Sequence, residues 1–196
     1  MPDAAPTSHP TESSRLLVLL SRWRINIGAL AVIPVLLLAR PTDASILRYL
    51  PLLLLGTAIR VWARGHLERQ TQVTWKGPYA FVRHPLYVGS FLMALAICGM
   101  TQVPWLPLIF AGGFTVMYWP KVVREERWMR HRFGDDYGQY AAQVGAVIPF
   151  PRWGQPPLRL PGATTFAWRR VRRHREWKTV LGAAAVVGFL ALRAAF

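Results

Sequence analysis

Apolar and polar residues do not alternate along this chain at helix or strand period; they are sorted into long blocks. Five stretches, at 23–39, 46–63, 86–100 running on toward 103, 104–123 and 179–196, are almost free of charge. Each comes near the length of roughly 20 residues that a helix needs to cross a bilayer. Between them stand short segments crowded with Lys, Arg and aromatic residues. The pattern predicts an all-α, polytopic transmembrane helical bundle of about five membrane helices. Pro34, Pro51 and Pro107 fall inside spans, where packing against neighbouring helices can re-satisfy the backbone groups a proline frees. Gly89, Ser90, Ala94, Ala96, Gly112 and Gly113 place small residues on the third and fourth spans, which permits close helix association.

Composition agrees with that sorting. Hydrophobic residues make up 53% of the chain, yet the formal net charge is +15. A soluble domain does not show that combination. With the N-terminus placed in the cytosol, 21 of the 24 Lys and Arg lie on the cytosolic side, leaving Arg40, Arg48 and Arg193 opposite. The expected location is therefore a bacterial-type inner membrane with a cytosolic N-terminus. The chain divides into a disordered tail (1–14), an N-terminal transmembrane hairpin (15–65), a core with two membrane helices and cytosolic motifs (66–151), and a basic juxtamembrane segment leading to a C-terminal helix (152–196). The Arg-rich run at 168–178, with Trp168 and Trp177 at its ends, reads as a topology determinant meeting anionic headgroups rather than as a nucleic-acid site. Cys98, the single cysteine, lies in an apolar run and reads as a buried hydrophobe. No metal-ligand pattern is present in the sequence.

Two charged blocks carry the chemistry. The first, at 77–89, reads Gly-Pro-Tyr-Ala-Phe-Val-Arg-His-Pro-Leu-Tyr-Val-Gly. Gly77-Pro78 breaks an incoming helix, and Pro85 suits the first turn of an outgoing one, where its missing N–H costs nothing. Such a helix start favours a carboxylate, and Tyr79, His84 and Tyr87 add stacking and hydrogen-bonding groups around it. The second block holds Arg124-Glu125-Glu126 and, from position 133, Phe-Gly-Asp-Asp-Tyr-Gly-Gln-Tyr. Adjacent carboxylates at a hydrocarbon boundary are costly unless paired or used, and Arg124, Arg127 or Arg130 would be local partners.

Taken in order, the Gly-Pro-Tyr, Arg-His-Pro-x-Tyr-x-Gly, Glu-Glu and Phe-Gly-x-x-Tyr-x-x-Tyr elements resemble the isoprenylcysteine carboxyl methyltransferase and phospholipid methyltransferase type of membrane enzyme. The resemblance covers about 71–151. It implies a cytosolic pocket for S-adenosylmethionine, held by residues matching Tyr79, His84, Pro85, Leu86 and Tyr87, with main-chain contacts from Gln72, Val73 and Thr74. It assigns Glu125 and Glu126 to the cofactor, with Glu126 and Arg124 as the candidate catalytic pair and Arg124 facing the acceptor's anionic group. The implied acceptor is lipophilic and the remaining partners are membrane lipids. The chain departs from the pattern where Gly145 and Ala146 replace a Pro-Arg pair, so that the arginine's role either falls to another group, Arg152 being one candidate, or is not needed, and where 153–178 matches no motif. Both departures leave the acceptor open among isoprenylcysteine carboxylate, phospholipid amine and small thiol. Competing classes are an NADPH-dependent reductase of the sterol-reductase kind and a non-catalytic membrane scaffold. The spans lack the central ionisable residues of an ion path.

Overall fold

The computed structural model describes residues 37–68, 71–149 and 164–196. The N-terminal tail, most of the first expected span and Arg152 lie outside the described residues. The chain separates into two compact units, 1–39 and 40–196. The second unit contains α1 (Asp43–His66), a 3-10 turn (Gly77–Ala80), α2 (Pro85–Met100), α3 (Leu106–Gln143), α4 (Trp168–Arg173) and α5 (Trp177–Ala195). Among the described residues there is no strand, only one isolated parallel bridge between Val82 and Gly145. This is an all-α bundle, and the protein is an integral membrane protein: α1, α3 and α5 are long and apolar enough to cross a bilayer.

α1 starts at a capping box, in which the Thr42 side chain accepts from the Ser45 amide at 3.1 Å while the Ser45 hydroxyl accepts from the Thr42 amide at 3.0 Å. It packs mainly against α2 through facing glycines. A Cβ at Gly56 would lie 2.8 Å from the Gly89 carbonyl oxygen, and one at Gly89 would lie 2.7 Å from that of Gly56. Small residues thus serve backbone approach here, as expected in lipid. A Cβ at Gly112 or Gly113 on α3 would meet nothing within 4 Å, so they do no such packing among the described residues. α3 is held to α2 by aromatic rings instead: Phe91, Phe110, Phe114 and Tyr118 form a continuous stack, the last pair 4.1 Å apart between centroids.

Two spans differ from the sequence pattern. The third has 16 helical residues. At a rise of about 1.5 Å per residue it is about 24 Å long, short of a full hydrocarbon crossing. The fourth, expected to end at 123, is the first half of a 38-residue helix. Its charged continuation holds no strong helix breaker until Gly134, whose backbone (φ 51°, ψ −123°) is non-helical and reserved in practice for glycine. Past that break Tyr137 and Tyr140 turn inward and bury against Val73 and Val144.

Candidate functional site

The motif ends of α1, α2 and α3 converge on a cavity of about 670 Å³. That size is within the range of small-molecule sites. Its floor is the segment before α2. Gly77 takes φ +64° beneath the His66 ring, where a Cβ would sit 2.8 Å from ring atoms, so the chain can turn there only with glycine. The 3-10 turn then delivers Tyr79, whose carbonyl accepts a 2.7 Å bond from the buried Tyr140 hydroxyl. Next, the Arg83 and His84 amides donate to the Gly145 and Ala146 carbonyls at 2.8 and 2.9 Å. At Gly145 and Ala146, where the sequence departs from the motif pattern, the chain after α3 is therefore laced to the chain before α2 by main-chain bonds.

The two charged blocks, far apart in sequence, meet directly. Glu126 Oε1 accepts from Arg83 Nη2 at 2.6 Å and Nε at 2.9 Å, and lies 3.3 Å from His84 Nε2. Arg83 Nη1 also donates to the Ala141 carbonyl at 2.9 Å and to that of Val144. Glu125 Oε2 accepts from the Tyr87 hydroxyl at 2.8 Å. The acidic pair is thus partnered across the fold rather than by the local Arg124, Arg127 or Arg130. Burial disfavours the imidazolium and holds the His84 pKa below its ordinary 6.5, against the raising pull of Glu125 and Glu126. The His84 ring stacks on Tyr87 (centroids 5.6 Å), and Tyr87 meets Tyr118 edge-on at 5.4 Å, with Lys121 Nζ 4.9 Å from its ring centre.

Of the residues singled out in the sequence, Gln72, Thr74, Tyr79, His84, Pro85, Leu86, Tyr87, Arg124 and Glu125 line the cavity. Val73 does not; its side chain is buried with Tyr137 and Tyr140. Glu126 stands behind the wall, where it fixes Arg83 and His84. At the start of α2 the Tyr87 and Val88 amides close onto the His84 carbonyl. The wall also contains residues that sequence reasoning counted only as topology: Arg60 and Arg64, at (i, i+4) on α1, and Lys121 on α3. Their signal was the pairing of basic residues on one helix face at a span end. Glu176, 2% exposed, was missed altogether, and its carboxylate accepts from Arg60 Nε at 2.6 Å and from Arg64 Nε at 3.1 Å. Arg170 in the basic run donates to the Gly65 and Thr165 carbonyls and to Glu68, so that part of the run braces α1. Among the described residues no group of three or more His, Cys, Asp or Glu could hold a metal ion.

Comparison with known proteins extends this picture. The chain is 32% identical over 97 residues to the nickel-cobalt-cadmium resistance protein NccN of Alcaligenes xylosoxydans xylosoxydans, covering 48% of this chain and 45% of that one. It is 26% identical over 150 residues to a probable protein-S-isoprenylcysteine O-methyltransferase of Oryza sativa subsp. indica, covering 74% and 72%. With methanethiol S-methyltransferase 1 of Bradyrhizobium diazoefficiens it shares 38% identity over 74 residues, 38% of this chain and 25% of that one. The chain thus spans less than half the length of the first of these relatives. No solved structure matches it. Residues 50–136, from the middle of α1 to just past the α3 break, match the model of the phospholipid methyltransferase family, to which that stretch is similar.

Proposed function

We propose that this protein is a membrane methyltransferase that takes its methyl group from S-adenosylmethionine and passes it to a lipophilic acceptor. The observation that carries the reading is the closure of the two motif blocks, Arg83 and His84 onto Glu126 and Tyr87 onto Glu125, around one cavity. The residues present fit the cofactor. A zwitterionic amino acid joined to a nucleoside needs cations, carboxylates and aromatic faces in one enclosure. Arg64, Lys121, Arg124, Glu68, Glu125, Tyr87 and Tyr118 supply them.

When bound, the sulfonium supplies an activated methyl group for in-line displacement. The chain's own work is then to bind, orient and exclude water, which can account for about 7–11 kcal/mol of a barrier. Glu125, oriented by the Tyr87 hydroxyl, offers its carboxylate to an ammonium or ribose hydroxyl. Neutral His84, when it donates Nε2–H to Glu126, keeps Nδ1 as an acceptor able to take a proton from an amine nucleophile. Arg124, in the cavity wall, is available to an anionic acceptor. A lipophilic acceptor is favoured by the position of Tyr118 and Lys121, close in sequence to the exposed apolar Val116 and Met117 of α3. The charge bias favours a cavity on the cytosolic side of an inner membrane. The family match favours methyl transfer over hydride transfer.

Calorimetric titration of the detergent-purified protein with S-adenosylhomocysteine and, separately, NADPH tests the reading. Saturable binding of the first alone is expected. Binding of NADPH alone, or of neither by folded protein, overturns it.

A further inference from the structure

Arg60 and Arg64 both reach the cavity wall from one face of α1, and both are gripped by the buried Glu176 at the entry to α5. Their remaining donors are used differently. Arg60 Nη1 donates to the Ser90 hydroxyl and, at 3.4 Å, to the Leu86 carbonyl, while its Nη2 reaches the Thr179 hydroxyl at 3.4 Å. That guanidinium is spent on joining α1, α2 and α5. Arg64 makes its one bond through Nε, and both Nη groups have no partner among the described residues.

Arg64 is also largely enclosed, its side chain 16% exposed. A guanidinium held by its Nε edge, with its terminal amino groups left to the cavity, is arranged for an oxyanion. The acidic side chains in the same wall are otherwise engaged: Glu68 with Arg170 and Gln72, Glu125 with Tyr87. One carboxylate shared between two arginines leaves a net positive charge at this spot.

We propose that Arg64 is the oxyanion-binding residue of the cavity, taking a carboxylate or phosphate through its Nη groups, with Glu176 as the residue that positions it. The inference rests on the methyltransferase reading and deepens it. Two sources present this chemistry: the amino-acid carboxylate of the cofactor, and an acidic headgroup on the acceptor.

The full chain in detergent is titrated with S-adenosylhomocysteine, with 5′-methylthioadenosine, which lacks the amino-acid carboxylate, and with a short-chain phosphatidic acid added to protein saturated with S-adenosylhomocysteine. If the cofactor is the source, Arg64→Gln weakens S-adenosylhomocysteine about ten- to hundredfold, the scale of a lost charged hydrogen bond, and leaves methylthioadenosine unchanged. If the acceptor is the source, both nucleosides bind Arg64→Gln as they bind wild type, and phosphatidic acid binding drops by the same factor. Arg64→Lys, which keeps charge without the planar fork, falls between, and Glu176→Gln weakens the same ligand less than Arg64→Gln does. Unchanged binding of S-adenosylhomocysteine and phosphatidic acid by Arg64→Gln and Arg64→Lys overturns the assignment, while wild-type nucleoside binding keeps the methyltransferase reading. Wild-type protein that is folded and binds neither nucleoside overturns both.

Discussion

The contact between Arg83 and Glu126 can be weighed by a double-mutant cycle. Its side chains are 11% and 18% exposed, so the pair is largely but not wholly withdrawn from water. Removing one partner of a fully buried pair costs about 3–5 kcal/mol because the other charge is left uncompensated. Residual hydration lowers that figure, and Glu126→Gln, which keeps the shape and one acceptor, is expected to cost about 2–3 kcal/mol. Arg83→Gln also strands the Ala141 and Val144 carbonyls. Each of those bonds is worth about 1 kcal/mol, and the variant is expected to cost about 3–5 kcal/mol. The double variant has no lone charge left to desolvate, so the coupling should reach about 1.5–3 kcal/mol. Unfolding midpoints of the four proteins in mixed micelles measure it. Additivity within about 0.5 kcal/mol would show that the two blocks do not hold each other and would remove the basis for a single site.

Three further outcomes rest on particular contacts. Because burial depresses the His84 pKa, the unfolded chain takes up its proton first as pH falls; the contribution is complete above the ordinary 6.5 and is lost as pH drops from there toward the native value. His84→Asn should flatten the dependence of melting temperature on pH between about 7.5 and 5, and an unaltered slope would assign it to other groups. A Cβ at Gly89 would lie 2.6 Å from Arg60 Cγ, whereas one at Gly112 would meet nothing. Gly89→Ala should therefore destabilise by about 1–3 kcal/mol and Gly112→Ala should be neutral or slightly stabilising, as thermal melts can compare. Tyr140→Phe leaves the Tyr79 carbonyl without its 2.7 Å donor in a buried setting. It should cost about 1–3 kcal/mol in the same assay.

Much of the bundle was legible because lipid imposes a coarse rule: charge is excluded from one stretch and admitted in the next. That rule located α1, α3 and α5 but could not end α3, since most of the stretch from Lys121 to Phe133 favours a helix whether or not lipid surrounds it. Only the backbone at Gly134 interrupts the helix, and Gly-Asp-Asp does not by itself announce a positive φ. In the cavity, Tyr79, His84, Tyr87 and Glu125 were readable from motif order and the breaks at Gly77-Pro78 and Pro85. Glu126 was singled out with Glu125, yet the two differ in placement: one helical step turns its neighbour's carboxylate to the cavity and its own to Arg83. Glu176 was not readable because its partners lie far upstream, and in sequence its single negative charge is lost among the surrounding Lys and Arg.

The grip of Glu176 on α1 has a bearing on biogenesis. Arg60 and Arg64 leave the ribosome long before the carboxylate that steadies them. Nascent chains halted after α3 but ahead of position 176 would hold every signature motif and still lack the brace for their guanidinium groups. The pairing of those arginines is thereby deferred until the chain has been made past position 176, and a stop codon ahead of it should cost the protein far more than one helix.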